Sequence, residues 1–103
     1  MTEVVLGALA VLDLEQITDY YLGVAGVEAA SSFLDSWASA LSHLKRQPAS
    51  GSTRFCDVSG VTGLRVWPLR NFPHLVFCLN QQEVLLVVRI LHSARDVPAH
   101  LRE

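Results

Sequence analysis

Five cationic side chains fall between residues 65 and 95: Arg65, Arg70, Arg89, His92 and Arg95. Arg65 stands two residues from Trp67, and in an extended chain residues i and i+2 share a face. A guanidinium beside an indole makes a polar–aromatic contact patch. Such a set grips an oxyanion, either the carboxylate of an acidic partner or a phosphate. Taken one step further it is ribonuclease chemistry. Metal-free RNA cleavage needs a base for the 2′-hydroxyl, an acid for the leaving oxygen and cations for the phosphate. His92 or His74 has the pKa for the first two tasks, and Arg89 and Arg65 have the charge for the third. The catalytic set of a ribonuclease would therefore be Arg65, Arg89 and His92. Arg89 also has a plain structural use, because an ion pair with Asp96 or Glu83 would fix the C-terminal tail.

Other chemistries find no support. The chain has no phosphate-cradling glycine motif, no nucleophile elbow and no H-E-x-x-H. His43, His74, His92 and His100 share no ligand spacing, and neither cysteine neighbours a histidine, so neither a metal nor a cofactor is expected. Cys56 and Cys78 stand singly and read as reduced thiols, Cys78 in the core, with a disulfide between them the minor alternative. No apolar run approaches the roughly 18 residues of a membrane span. Ala8-Leu9-Ala10 resembles a signal-peptidase site, but the preceding apolar run is only Val4 to Leu6 and the flank carries Glu3. The expectation is a cytoplasmic protein.

Charge is segregated. The net charge is −2, which argues against nucleic acid as the main partner and against direct DNA binding. Residues 1–44 carry Glu3, Asp13, Glu15, Asp19, Glu28 and Asp35 with no Lys or Arg, whereas all eight basic residues follow Leu44. A basic half on a mildly acidic protein suggests one electropositive face aimed at an acidic partner.

The elements that position these residues follow from periodicity. A chain of 103 residues, half of them hydrophobic, is a single domain over 1–103 that can bury roughly 65% of its unfolded surface. Val84 to His92 holds one charge in nine residues and reads as a buried central strand. Strict alternation puts Val84, Leu86, Val88 and Ile90 on one face, to be covered by helices. Leu85, Val87, Arg89 and Leu91 then fall on the other, recognition face. Upstream, Glu3 to Leu6 reads as an edge strand. Ala10, Leu14, Ile17 and Tyr21 form one stripe of a helix capped by Gly7 and running to about Leu22. Asp13 and Asp19 lie off that stripe and are expected to face water. Gly23 to Gly26 reads as a turn. Ala30, Phe33, Leu34, Trp37, Leu41 and Leu44 then describe a second helix from Val27 to about Arg46, stopped by Gln47-Pro48. The short linker makes the two helices an antiparallel hairpin. Arg54 to Val58 reads as a short strand, followed by a loop through Ser59-Gly60. Leu64 to Leu69, His74 to Asn80 and Val84 to His92 read as an antiparallel meander, with Pro68 confining the first to an edge. Val97-Pro98-Ala99 is expected to open a last helical turn. The fold class is α+β: a helical hairpin on one face of a small, mainly antiparallel curved sheet, in the order β-α-α-β-β-β, with the other face open.

These residues resemble a known family. Asp13-Leu14-Glu15-x-Ile17-x-x-Tyr20-Tyr21 is similar to the first-helix pattern of ParE toxins in the RelE/ParE superfamily of toxin–antitoxin modules. So is the helix exit Leu41-x-x-Leu44-x-x-x-Pro48-x-x-Gly51. Gly63-Leu64-Arg65-x-Trp67-Pro68-Leu69, then Phe72-Pro73-His74-x-Val76-Phe77, continue the likeness. Val88-Arg89-Ile90-Leu91-His92-Ser93-Ala94-Arg95-Asp96 looks like the family's C-terminal signature. The resemblance implies a bacterial toxin that inhibits DNA gyrase by binding, without hydrolysis of its own, and is neutralised by a ParD-like antitoxin with a disordered tail. Arg65, Trp67, Arg70, Arg89, His92 and Arg95 would be the partner-binding residues. The alternative is a ribosome-dependent mRNA endonuclease like RelE. Gly7-Ala8 replaces the usual Ser-Pro, and His74 stands where tyrosine is common, which puts the target in doubt. Against the endonuclease, Ser93 to Glu103 has no tyrosine and no lysine.

Overall fold

The computed structural model describes residues 2–96. Strand β1 (Glu3–Leu6) leads into helix α1 (Ala8–Arg46). A one-turn helix α2 (Cys56–Ser59) and strands β2 (Leu64–Pro68), β3 (His74–Gln81) and β4 (Val84–His92) follow. The sheet order is β1-β4-β3-β2, with β1 parallel to β4 and the last three strands an antiparallel meander. The central strand, the edge position of Pro68 and the stop at Gln47 all fall where the sequence puts them. The expected turn at Val97-Pro98-Ala99 lies outside the described residues.

Helix α1 is not straight. A continuous 39-residue helix would be about 58 Å long, yet the longest dimension of the molecule is 38 Å. The break is Gly26, whose φ of 88° and ψ of −176° are non-helical. The chain folds back there so far that Tyr21 and Phe33, twelve positions apart, stack with ring centroids 5.6 Å apart. The expected hairpin is therefore present, with its four-residue turn reduced to one glycine between a first arm (8–25) and a second arm (27–46). Only glycine populates that backbone region readily.

Both arms pack on one face of the sheet. Ala10, Phe33, Trp37, Ala40 and Leu44 meet Val76, Cys78, Leu85, Val87 and Ile90 in the main core, with Leu14, Ile17 and Tyr21 packed against it. Leu34, expected in the buried stripe, is 40% exposed, because the stripe of the second arm runs through Ala30, Phe33, Trp37, Ala40 and Leu44. Cys78 is in this core as expected, and burial pushes its thiol up to about 12. Cys56 packs in a separate cluster with Leu64, Val66, Leu75, Phe77 and Leu91, so both cysteines stay free.

The face assignment of β4 requires correction. Leu85 and Val87 lie under the helices, not on the front. Phe77 pairs with Arg89 while Cys78 pairs with Val87, which leaves Val88 without a partner. This bulge shifts the alternation, as one extra residue in a ladder must. Val88 therefore belongs to the front cluster, whereas Leu91 on the front and Ile90 on the helix side fall as expected.

The front is not bare either. The expected strand at Arg54 to Val58 is instead the turn of α2, and Phe55 sits 5.6 Å from Phe77 across that face. Its tether is a two-bond bridge between Ser52 and Val66. Gly51 is needed beside it, since a Cβ there would lie 3.0 Å from the Val66 carbonyl oxygen. Gly60 and Gly63 of the same segment have nothing within 4 Å of an added Cβ, so Gly51 is the glycine this approach requires.

Gly26→Ala should lower unfolding stability by about 1–3 kcal/mol, because the cost is conformational strain alone; no atom lies within 4 Å of the added methyl. Urea denaturation with unchanged slope measures it.

Candidate partner-binding site

Strand β1 ends at Leu6, opposite Val87, and beyond that point β4 has no neighbouring strand on its outer side. The Ile90 amide there needs another acceptor. Asp13 of the first arm supplies it: Oδ2 accepts from Ile90 N at 3.0 Å and from Arg89 Nε at 2.7 Å, and Oδ1 accepts from Arg89 Nη2 at 2.9 Å. This two-pronged geometry suits a guanidinium and no other cation. Asp13 is 8% exposed, and the Arg89 side chain 26%. The hydrogen bonds that Arg89 donates to Asp13 hold its pKa above the usual value, against desolvation, with the charges of Asp13 and Asp96 adding to the rise.

Two expectations are overturned here. Asp13 does not face water. Arg89 pairs with Asp13, neither with Glu83 nor with Asp96, whose Oδ2 instead accepts from His92 N at 3.0 Å. The signal for Asp13 was present: positions 10, 13 and 17 form a helical row, and only the polarity of residue 13 hid it.

Next to this knot is a cleft of about 370 Å³ between the first arm and the ends of β3 and β4. It gathers His74, His92, Arg95 and Asp96 with Tyr20 and Tyr21. The His74 and His92 rings meet edge to face at 5.4 Å. His74 is 4% exposed and its Nδ1 has no hydrogen-bond partner. Burial lowers its pKa to about 4, assisted by His92 and Arg95 and opposed by Asp96. The His92 Nδ1 accepts from the Ala94 and Arg95 amides at 3.1 and 3.2 Å.

The remaining sequence candidates are elsewhere. Arg65 lies opposite Cys78, which lies opposite Val87, so β3 separates it from Arg89. Its Nη1 donates to the Ala49 and Gly51 carbonyls at 3.1 and 2.8 Å, fastening the loop before α2. Trp67 stacks on His43 with centroids 4.4 Å apart. With Arg70 it borders a second cleft against the second arm, where Ser36 Oγ donates to the Arg70 carbonyl at 2.8 Å. The structure thus places His92 and Arg95 in one cleft beside the Asp13–Arg89 pair, and Arg65, Trp67 and Arg70 on β2 and the loop that follows it. Sequence reasoning missed Asp13, Tyr20, Tyr21 and His43 as neighbours of these groups. Among the described residues no cluster of His, Cys, Asp and Glu has the makings of a metal site, and no helix is long and apolar enough to cross a membrane.

Residues 4–97 match the family described as the ParE toxin of the type II toxin–antitoxin system parDE. The chain belongs to the ParE toxin family. Among solved structures it is similar to a chain of the chromosomal ParDE TA system from P. aeruginosa, at 21% identity and a TM-score of 0.75, over 89% of this chain and 96% of that one. At that identity the likeness establishes the ParE-like fold. No curated protein matches at comparable significance.

His74 adds a pH dependence to the stability of this ParE family member. Its pKa falls from 6.5 in the unfolded chain to about 4 in the fold, so between those values the unfolded state binds more protons and stability drops as pH falls. Above pH 6.5 the effect is absent, and below pH 4 it is complete. His74→Phe should flatten this part of the profile, measured as urea midpoints from pH 7 to pH 4 against the parent protein.

Proposed function

We propose that this protein is the toxin of a type II toxin–antitoxin pair, inhibiting DNA gyrase by binding it, and that a ParD-like antitoxin neutralises it. The match to the ParE family over residues 4–97 carries this reading. Two features of the site support binding over hydrolysis. Arg89, a candidate phosphate-holding cation, has two of its donors and its charge engaged by Asp13. Arg65 is engaged by loop carbonyls on the far side of β3. The ribonuclease set Arg65, Arg89 and His92 therefore does not converge on one scissile phosphate.

The hairpin supports an antitoxin partner. Leu9, Leu12, Leu22, Val24 and Val27 of α1 are each about half exposed or more. Exposed large apolar side chains along the hairpin and around its turn suit an interaction face, and a disordered tail that folds along it would cover them. Arg95, His92, Trp67 and Arg70 flank the hairpin and serve as the polar partner contacts. Arg89 and Arg65 act mainly by holding the scaffold.

Purified protein added to a gyrase supercoiling reaction should stop supercoiling, and its antitoxin, added in equal amount, should restore it. In a translating extract mRNA should remain intact. Cleavage of mRNA in the ribosomal A site, with supercoiling unaffected, would instead assign the protein to the endonuclease branch.

A further inference from the structure

We propose that the cleft between the first arm and the ends of β3 and β4 receives one carboxylate side chain of a peptide partner, bound by Arg95 and His92. The inference rests on the antitoxin reading and gives it a specific anchor point.

The acids of the cleft are already committed. Both oxygens of Asp13 bind Arg89, and Asp96 Oδ2 binds the His92 amide. Its donors are not. The Arg95 guanidinium makes no ion pair among the described residues, where Asp13 with Arg89 is the one pair formed. The His92 Nδ1 accepts from two backbone amides, so in the neutral ring the proton resides on Nε2, a donor left over for a ligand. At the base of the cleft His74 is 4% exposed with an unpartnered Nδ1. A buried polar atom without a partner is costly, so a polar ligand or bound water that reached this ring after a small local adjustment would relieve that cost.

Size and surroundings narrow the ligand. About 370 Å³ accommodates one side chain with its adjoining backbone, and Ile17, Tyr20 and Pro73 offer walls for a methylene stem. A nucleic-acid strand suits the place less well. Its successive phosphates would run beside a first arm that carries Glu15 and Asp19 and no Lys or Arg, and like charges repel. A single carboxylate brings one negative charge beside Asp96, which the Arg95 guanidinium and the His92 Nε2 proton can meet.

The test uses the full chain with ¹⁵N-labelled histidine rings and N-acetyl-glutamate amide as the probe. Its neutral glutamine counterpart and inorganic phosphate serve as comparisons. The glutamate probe should shift the His92 and His74 ring signals saturably, the glutamine probe should not, and Arg95→Gln should weaken binding about tenfold. Arg95 is exposed, so the variant should keep the parent's urea midpoint. The absence of saturable shifts, equal binding of the glutamine probe, an unaltered affinity in Arg95→Gln, or tighter binding of phosphate would each overturn the proposal. No antitoxin is needed for the assay, so the cleft can fail while the antitoxin reading stands, and the reverse.

Discussion

The structure depends on one junction, where Asp13 joins the first helical arm to the open edge of β4. A strand that outlasts its neighbour leaves backbone donors unpaired, and a helix laid across it brings its own polar groups near the same place. One carboxylate resolves both by accepting from the Ile90 amide and from the two-pronged guanidinium of Arg89. Apart from the Ser36–Arg70 hydrogen bond, the hairpin is otherwise held mainly by apolar packing, which is strong but indifferent to small shifts. The junction fixes its register on the sheet.

The cleft follows from that register. The first arm crosses where β3 begins and β4 ends, so Tyr20 and Tyr21 face His74, His92 and the turn carrying Arg95 and Asp96. The aromatic contacts of Tyr21 with Phe33, Phe72 and His74 tie the two arms, the β2–β3 connection and β3 together around this point. His74 remains uncharged because it is enclosed there. The toxin scaffold thus places His74, His92 and the Arg95 guanidinium around one cleft and uses Arg65 and Arg89 to hold itself together.

Much of this was legible in the sequence because periodicity and punctuation report local structure faithfully. The apolar run at Val84 to His92, the stripe at Ala10, Leu14, Ile17 and Tyr21, and the stop at Gln47-Pro48 all state their own conformation. The β4 faces did not, because a bulge at Val88 is a property of the ladder and leaves no mark on a strand read alone. The helical turn at Cys56 was hidden for a similar reason: its short, polar flanks carry no period, and its place is set by the bridge from Ser52 to Val66. Of the candidate residues, which ones share a location was not legible: His92 and Arg95 line one cleft and Trp67 and Arg70 another. Two faces of one strand look equivalent until a partner element declares which is covered, and Asp13 was such a partner, 76 residues away in the chain.

The central claim is that Asp13 and Arg89 act as a coupled pair fixing the hairpin on the sheet. A double-mutant cycle with Asp13→Ala, Arg89→Ala and the double variant, followed by urea denaturation, measures that coupling directly. The account predicts a coupling energy of about 1–3 kcal/mol, with the double variant less unstable than the sum of the two single ones. Additive losses, with a coupling energy near zero, would contradict it.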